Sequence, residues 1–222
     1  MLRIKFKCYR CVHCCFFTEE RESPILLWHE VLYYTKIGEL MNLKLNFKNL
    51  GQGFYRFIID GYCPFYDIPS RACQIQKEKP LSCKMFPILV NLTSLEVSTS
   101  LMCPWVYENM EEISRGLSDN DIKRVFSNEF KALKEVVMWV YTVPKNTPKL
   151  AVYFTTYFKN LASDIIKAIT EKYEVIKVVE SSVVDGFYYI LIEGDVDTSY
   201  LESLLKRDEI TWYKLEKVPP IT

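Results

Sequence analysis

The sequence predicts an α+β chain of two domains: a cysteine-rich metal-binding one of helices and short hairpins over residues 1–143, and a sheet-and-helix one over residues 149–222. Three observations carry that prediction. All eight cysteines fall at or before Cys103, and the run Thr142-Val143-Pro144-Lys145-Asn146-Thr147-Pro148 has the composition of a linker. Beyond it the hydrophobic period alternates between strand and helix in the order β-α-β-β-α-β. That order is the ferredoxin-like split unit, a description of topology alone, since this half contains no cysteine.

In chain order, Arg3, Lys5, Lys7 and Arg10 place positive charge ahead of the first acid, Glu19. Cations beside thiolates favour the deprotonated form, although the same run also reads as a solvated basic strand. Ser23-Pro24 has the form of a helix start, and apolar residues recur at helical spacing from Ile25 to about Leu40. His29 stands on that helix with no second ligand beside it and reads as structural. Residues 43–50 and 54–60 alternate as strands around a Gly51-Gln52-Gly53 turn. Residues 88–91 and 94–98 read as another hairpin, and Cys103-Pro104 opens a helix. Ser118-Asp119-Asn120-Asp121 caps a longer helix whose stripe runs from Ile122 to Val140. Strands are then expected at 150–157, 175–180, 187–193 and 210–215, with helices at 160–173 and 199–207.

Composition narrows the function classes. The chain has 222 residues, is 49% hydrophobic, and balances 28 Lys and Arg against 28 Asp and Glu, so it can bury a core and has no global field for nucleic acid. The opening Met-Leu-Arg-Ile-Lys-Phe-Lys is too charged and short for a signal peptide, and no uncharged apolar run nears the ~18 residues of a membrane span. A cytoplasmic protein without a membrane partner is expected. In a reducing compartment cysteines serve more often as ligands than as disulfides.

The chemistry concentrates in Cys8-Tyr9-Arg10-Cys11-Val12-His13-Cys14-Cys15. A C-x2-C step brings two sulfurs to one side of a turn, and C-x2-C-x2-C opens a bacterial-type ferredoxin run. Thr18 stands where the fourth cysteine of that run would fall, so further ligands must come from Cys63, Cys73, Cys83 and Cys103. Eight thiols divide naturally into two sites of four. The detached Cys63-Pro64 and Cys103-Pro104 pairs favour a [4Fe-4S] cluster, and scattered single cysteines suit zinc as the alternative. Cys14 and Cys15, being adjacent, are expected to point apart. Cys15 is the candidate nucleophile if seven thiols ligate, and His13 is expected to be a hydrogen-bond donor or a surface side chain beside the cluster rather than a ligand.

These cysteines, with Lys79-Pro80-Leu81-Ser82-Cys83-Lys84-Met85-Phe86-Pro87, resemble the CxxCxxCC family of zinc- or iron-chelating proteins, the YkgJ-like cysteine cluster proteins. The resemblance covers the N-terminal half. Here Val12 stands where the family tends to have Gly, and Lys79 and Lys84 where it tends to have Arg. It implies a metal-cluster protein, and through a flagellin lysine N-methylase in the family it also implies a protein-modifying enzyme as an alternative.

No serine–histidine pair, phosphate loop, dinucleotide fingerprint or C-x3-C-x2-C step appears. The first reading is therefore an iron–sulfur protein in redox or electron transfer, with the methylase relative second and a structural zinc protein mediating assembly third. In the C-terminal sheet, Tyr153, Thr155, Tyr157, Phe187, Tyr189 and Leu191 are expected on a face without helices. Asp185-Gly186-Phe187-Tyr188-Tyr189-Ile190 partly follows an RNA-recognition pattern, but nine Lys and Arg against twelve Asp and Glu from Lys149 onward disfavour nucleic acid. The face is expected to meet a protein partner, the cysteine-rich half or a second copy.

Overall fold

The computed structural model describes residues 4–114, 118–219 and 221; Arg3 of the basic run lies outside them. The chain divides into two compact units, Met1–Leu27 with Asn46–Asn49 and Phe54–Val143, and Trp28–Leu45 with Leu50–Gly53 and Pro144–Thr222. In chain order the elements are β1 (Phe16–Phe17), β2 (Ile25–Leu27), α1 (Trp28–Leu40), β3 (Asn46–Gly51), β4 (Phe54–Ile58), β5 (Gly61–Tyr62), β6 (Tyr66–Asp67), β7 (Ala72–Cys73), α2 (Leu81–Met85), β8 (Ile88–Val90), β9 (Val97–Thr99), α3 (Pro104–Glu108), α4 (Met110–Ser114), α5 (Asp119–Val125) and α6 (Ser127–Tyr141). There follow β10 (Lys149–Thr155), α7 (Lys159–Lys172), β11 (Glu174–Glu180), β12 (Phe187–Glu193), α8 (Thr198–Leu205) and β13 (Trp212–Val218).

The first unit is built from helices and very short strand pairings, β1 with β5, β2 with β4, β6 with β7 and β8 with β9. Its helical core gathers Ile88, Trp105, Val106, Val125, Phe126 and Leu133. Two expectations change here. The helix begins at Trp28, because Ile25–Leu27 is extended and pairs with Phe54–Arg56, and Pro24 O accepts the Phe57 amide at 2.9 Å. Ser23 is buried and its hydroxyl donates to Ile59 O instead of capping. The long C-terminal helix of this unit is two helices: Ser118 caps α5 by accepting from the Asp121 amide at 3.2 Å, and Phe126 (φ −115, ψ 48) then breaks the helical backbone before α6.

The second unit has β-α-β-β-α-β order with α1 added. Its sheet runs β11-β12-β10-β13, and every neighbouring pair is antiparallel. One face carries Leu150, Val152, Phe154, Tyr188, Ile190 and Ile192 against Ile165 and Ile169 of α7 and Leu201 and Leu205 of α8, following the alternation of the sequence. The opposite face, predicted open, is closed. Tyr153, Phe187 and Tyr189 are 1%, 0% and 1% exposed. The Tyr33 ring of α1 lies 6.3 Å from Phe187 and 5.9 Å from Tyr189, and the Tyr189 hydroxyl donates to His29 O at 3.4 Å. Lys36 Nζ stands 5.7 Å and 5.6 Å from the Tyr153 and Trp212 ring centroids and pairs with Glu39. The face expected to meet the cysteine-rich half or a second copy is covered by α1, a helix from within residues 1–143.

Lys149, 5% exposed, shows how the linker is fixed. Its ammonium donates to Pro144 O at 2.6 Å and Thr147 O at 3.1 Å and lies 5.6 Å from the Trp28 ring centroid, so a buried charge has the partners it requires. Gly186 (φ 69) makes the turn into β12, and a Cβ there would lie 2.4 Å from Thr156 O. Among the described residues no helix is long and apolar enough to cross a membrane.

Candidate metal centre

The cysteine motif is pinned at both ends by aromatic residues. Upstream, the Phe6 amide donates to Val125 O at 2.9 Å and its ring meets Trp105 and Phe126 at 5.2 and 5.4 Å. Downstream, Phe17 is buried and pairs with Gly61. Tyr9 adds a tether by donating to Glu108 Oε2 at 2.7 Å. Between these anchors the backbone turns twice. Arg10 takes the left-handed conformation (φ 53), and the Cys15 amide donates to Val12 O at 2.7 Å. The left-handed position is therefore Arg10, and Val12 fills its place without one.

Short pairings then bring distant cysteines to this turn. Phe16 pairs with Tyr62, and the Cys63 amide donates to Cys15 O at 2.8 Å, which sets Cys63 beside the motif. The hairpin of β6 and β7 pairs Tyr66 with Cys73, and the Tyr66 amide donates to Cys63 O at 2.9 Å. Its turn is closed by Ser70 N donating to Asp67 Oδ2 at 2.9 Å and by left-handed Arg71. Cys83 rides on α2, which follows Pro80.

The result is a cavity of about 770 Å³ within the first unit, lined by Cys8, Cys11, Cys14, Cys15, Cys63, Cys73 and Cys83, with His13 also on its wall. Cys103 does not line it. That thiol is 7% exposed, precedes Pro104 at the start of α3 and packs in the helical core. None of the eight cysteines is in a disulfide. His29 lies on α1 in the second unit, 2% exposed, in the structural role expected of it.

Cys14 is the electrostatic hub. Its sulfur lies 3.9 Å from that of Cys15, so the adjacent thiols converge, because a turn replaces the extended backbone that would have separated them. The hydrogen bond with Cys15 and then burial push the Cys14 thiol far above the ordinary thiol range, opposed by the Lys79 ammonium. Burial pushes Cys63 up to about 11, with Cys73 and Cys14 adding to it. Burial likewise raises Cys11, Cys73 and Cys103, and Cys14 contributes at each. Without metal these thiols are protonated at neutral pH, and metal uptake would release their protons. The cation that acts on the thiols is Lys79, which favours the thiolate at both Cys14 and Cys73. The sequence offers it only as one residue of the Lys79 to Pro87 segment.

Among the described residues no three His, Cys, Asp or Glu side chains stand grouped as a ready single-ion site. The donor set itself fits a soft metal: among the described residues seven thiols face one cavity, and the one carboxylate on its wall, Glu22, is held elsewhere by the Thr18 and Glu19 amides.

A cavity walled by seven thiols is the chemistry of a metal-binding domain. The model of the CxxCxxCC family, described as a putative zinc- or iron-chelating domain, matches residues 7–111. No curated protein and no solved structure matches the chain.

Proposed function

We propose that the first unit holds an iron–sulfur cluster of the [4Fe-4S] kind and serves in electron transfer in the cytoplasm. One observation carries this reading: seven thiols surround a cavity of about 770 Å³ without any three converging on a point. A lone zinc needs four ligand atoms within ~2.0–2.3 Å of one centre, whereas a cluster has several metal corners and accepts thiolates spread around it. Cys11, Cys14, Cys63 and Cys73 would hold it, with Cys8, Cys15 and Cys83 also available on the wall and Cys103 coupled to Cys11 and Cys14 from the helical core. When bound, such a cluster supplies one-electron redox chemistry. The protein's share is to exclude water with Phe57 and Phe65 and to offset thiolate charge with Lys79.

A second reading, structural zinc, draws support from the Cys14–Cys15 sulfur separation of 3.9 Å. Tetrahedral thiolates at ~2.3 Å from zinc stand ~3.8 Å apart. Purification without oxygen separates the two. A brown protein with iron and acid-labile sulfide supports the cluster, and a colourless protein with stoichiometric zinc overturns it. For the second unit we propose ferredoxin-like topology, on the β11-β12-β10-β13 order and its antiparallel pairing.

A further inference from the structure

The cavity is larger than its metal chemistry requires. Metal–sulfur bonds of ~2.3 Å make a thiolate site only several ångströms across. A volume of about 770 Å³ lies instead in the ~300–1,000 Å³ range of small-molecule sites. Apolar side chains, among them Ile25, Phe57, Phe65, Leu89 and Met102, line part of the remaining wall.

Charge on the wall is one-sided. Five cationic residues, Arg10, Arg21, Arg56, Arg71 and Lys79, line the cavity against the single carboxylate of Glu22. Three of the five are already engaged. Arg56 donates to Arg21 O and Ser23 O at 2.6 and 3.0 Å, Arg21 pairs with Glu19 at 2.5 Å, and Lys79 acts on the Cys14 and Cys73 thiols. Arg10 and Arg71 are exposed, and neither has a salt-bridge partner among the described residues. Both sit where the backbone is left-handed (φ 53 and φ 51), which sets the direction in which each side chain leaves the chain.

We propose that the cavity binds a small organic anion beside the metal: an apolar or aromatic body against Phe57, Phe65 and Met102, with a carboxylate, phosphate or sulfonate group on Arg10 and Arg71. The inference rests on the reading of the thiols as metal ligands, which occupy only part of the space. Guanidinium groups suit planar and tetrahedral oxyanions because they donate two parallel hydrogen bonds.

The test uses the metal-loaded full-length protein and two fluorescent probes, anionic anilinonaphthalene sulfonate and uncharged N-phenyl-1-naphthylamine. The sulfonate is expected to bind saturably at one site. Replacing both Arg10 and Arg71 by Gln is expected to weaken it about tenfold or more, the loss of charge-assisted hydrogen bonds, with N-phenyl-1-naphthylamine unaffected. Arg71→Lys, which keeps the charge and loses the paired hydrogen bonds, is expected to bind the sulfonate with an affinity between those of the wild type and the double variant. Absence of a saturable sulfonate site, or equal sulfonate affinity in a folded double variant, overturns the proposal. Iron and sulfide counts on the same samples keep the two readings apart. Charge-dependent binding without iron sinks the cluster and leaves the anion site standing, and iron without charge-dependent binding does the reverse.

Discussion

Residues 149–222 contain every strand of the second sheet, yet they are expected not to form a stable domain when expressed alone. Cutting at Lys149 removes α1 and uncovers Tyr153, Phe187 and Tyr189, which in the intact unit are 1%, 0% and 1% exposed. Aromatic side chains bury ~150–250 Å² each, so uncovering one side of three rings exposes ~300 Å², or ~7 kcal/mol at ~25 cal/mol per Å². A whole domain is stable by only ~5–15 kcal/mol, so the fragment should be unfolded or associated at 25 °C. Circular dichroism melting with light scattering reads this directly, and a longer fragment carrying residues 28–45 ahead of the sheet should recover a cooperative transition. In the full chain, Tyr33→Ala removes the ring facing Phe187 and Tyr189 and should cost ~3 kcal/mol or more. At ~4–8 °C per kcal/mol that is a drop of ~12 °C or more in the transition of this unit. A monomeric 149–222 fragment that melted cooperatively at the temperature of the intact unit would show that α1 is an ornament on the sheet and not part of its core.

Three further outcomes are expected. Cys83→Ser should lower metal content and the melting temperature of the first unit while the second melts unchanged, because the binding free energy of a site assembled from separate loops is folding free energy; full metal occupancy with unchanged melting would remove Cys83 from the ligand set. His29 is held well below the usual imidazole value of 6.5 by burial, with the Lys177 charge adding to it, so the folded state stays neutral while the unfolded chain takes up a proton. Stability of the second unit is therefore complete above pH 6.5 and falls as pH drops below it, and His29→Phe should flatten that part of the urea-midpoint profile. Gly186→Ala meets Thr156 O at 2.4 Å at positive φ, so it should cost more than the ~1–2 kcal/mol of the left-handed backbone alone; an unchanged melting temperature would place the β12 turn elsewhere.

Local pattern made much of this molecule readable. The period of Leu150–Phe154 and Tyr188–Ile192 shows which side chains meet α7 and α8, and the C-x2-C-x2-C spacing marks the turn at Val12–Cys15. What stayed hidden depends on partners distant in sequence. Helical period shows that Tyr34 and Ile37 share an apolar face, but not that the surface α1 covers begins more than a hundred residues later. Ile25–Leu27 has helical spacing, and only the backbone of Phe54–Arg56 makes it extended. At the metal centre the ligand types were legible, whereas the convergence of Cys14 and Cys15 and the burial of Cys103 in the helical core follow from turns and core packing that spacing does not encode.

Between Cys15 and Cys63 the chain leaves the first unit, forms α1 in the second and returns. For a ligand gripping both cysteines, that whole excursion is a single loop to be closed. Loop-closure entropy grows only with the logarithm of length, ~0.6 kcal/mol for each doubling, so lengthening this loop to carry a helix costs the thiol site little more than a direct return would. The backbone bond between Cys63 and Cys15 marks the neck of that loop, and a bound metal would clamp it there. What is lent to the neighbouring sheet is, in polymer terms, nearly free to the site that spans it.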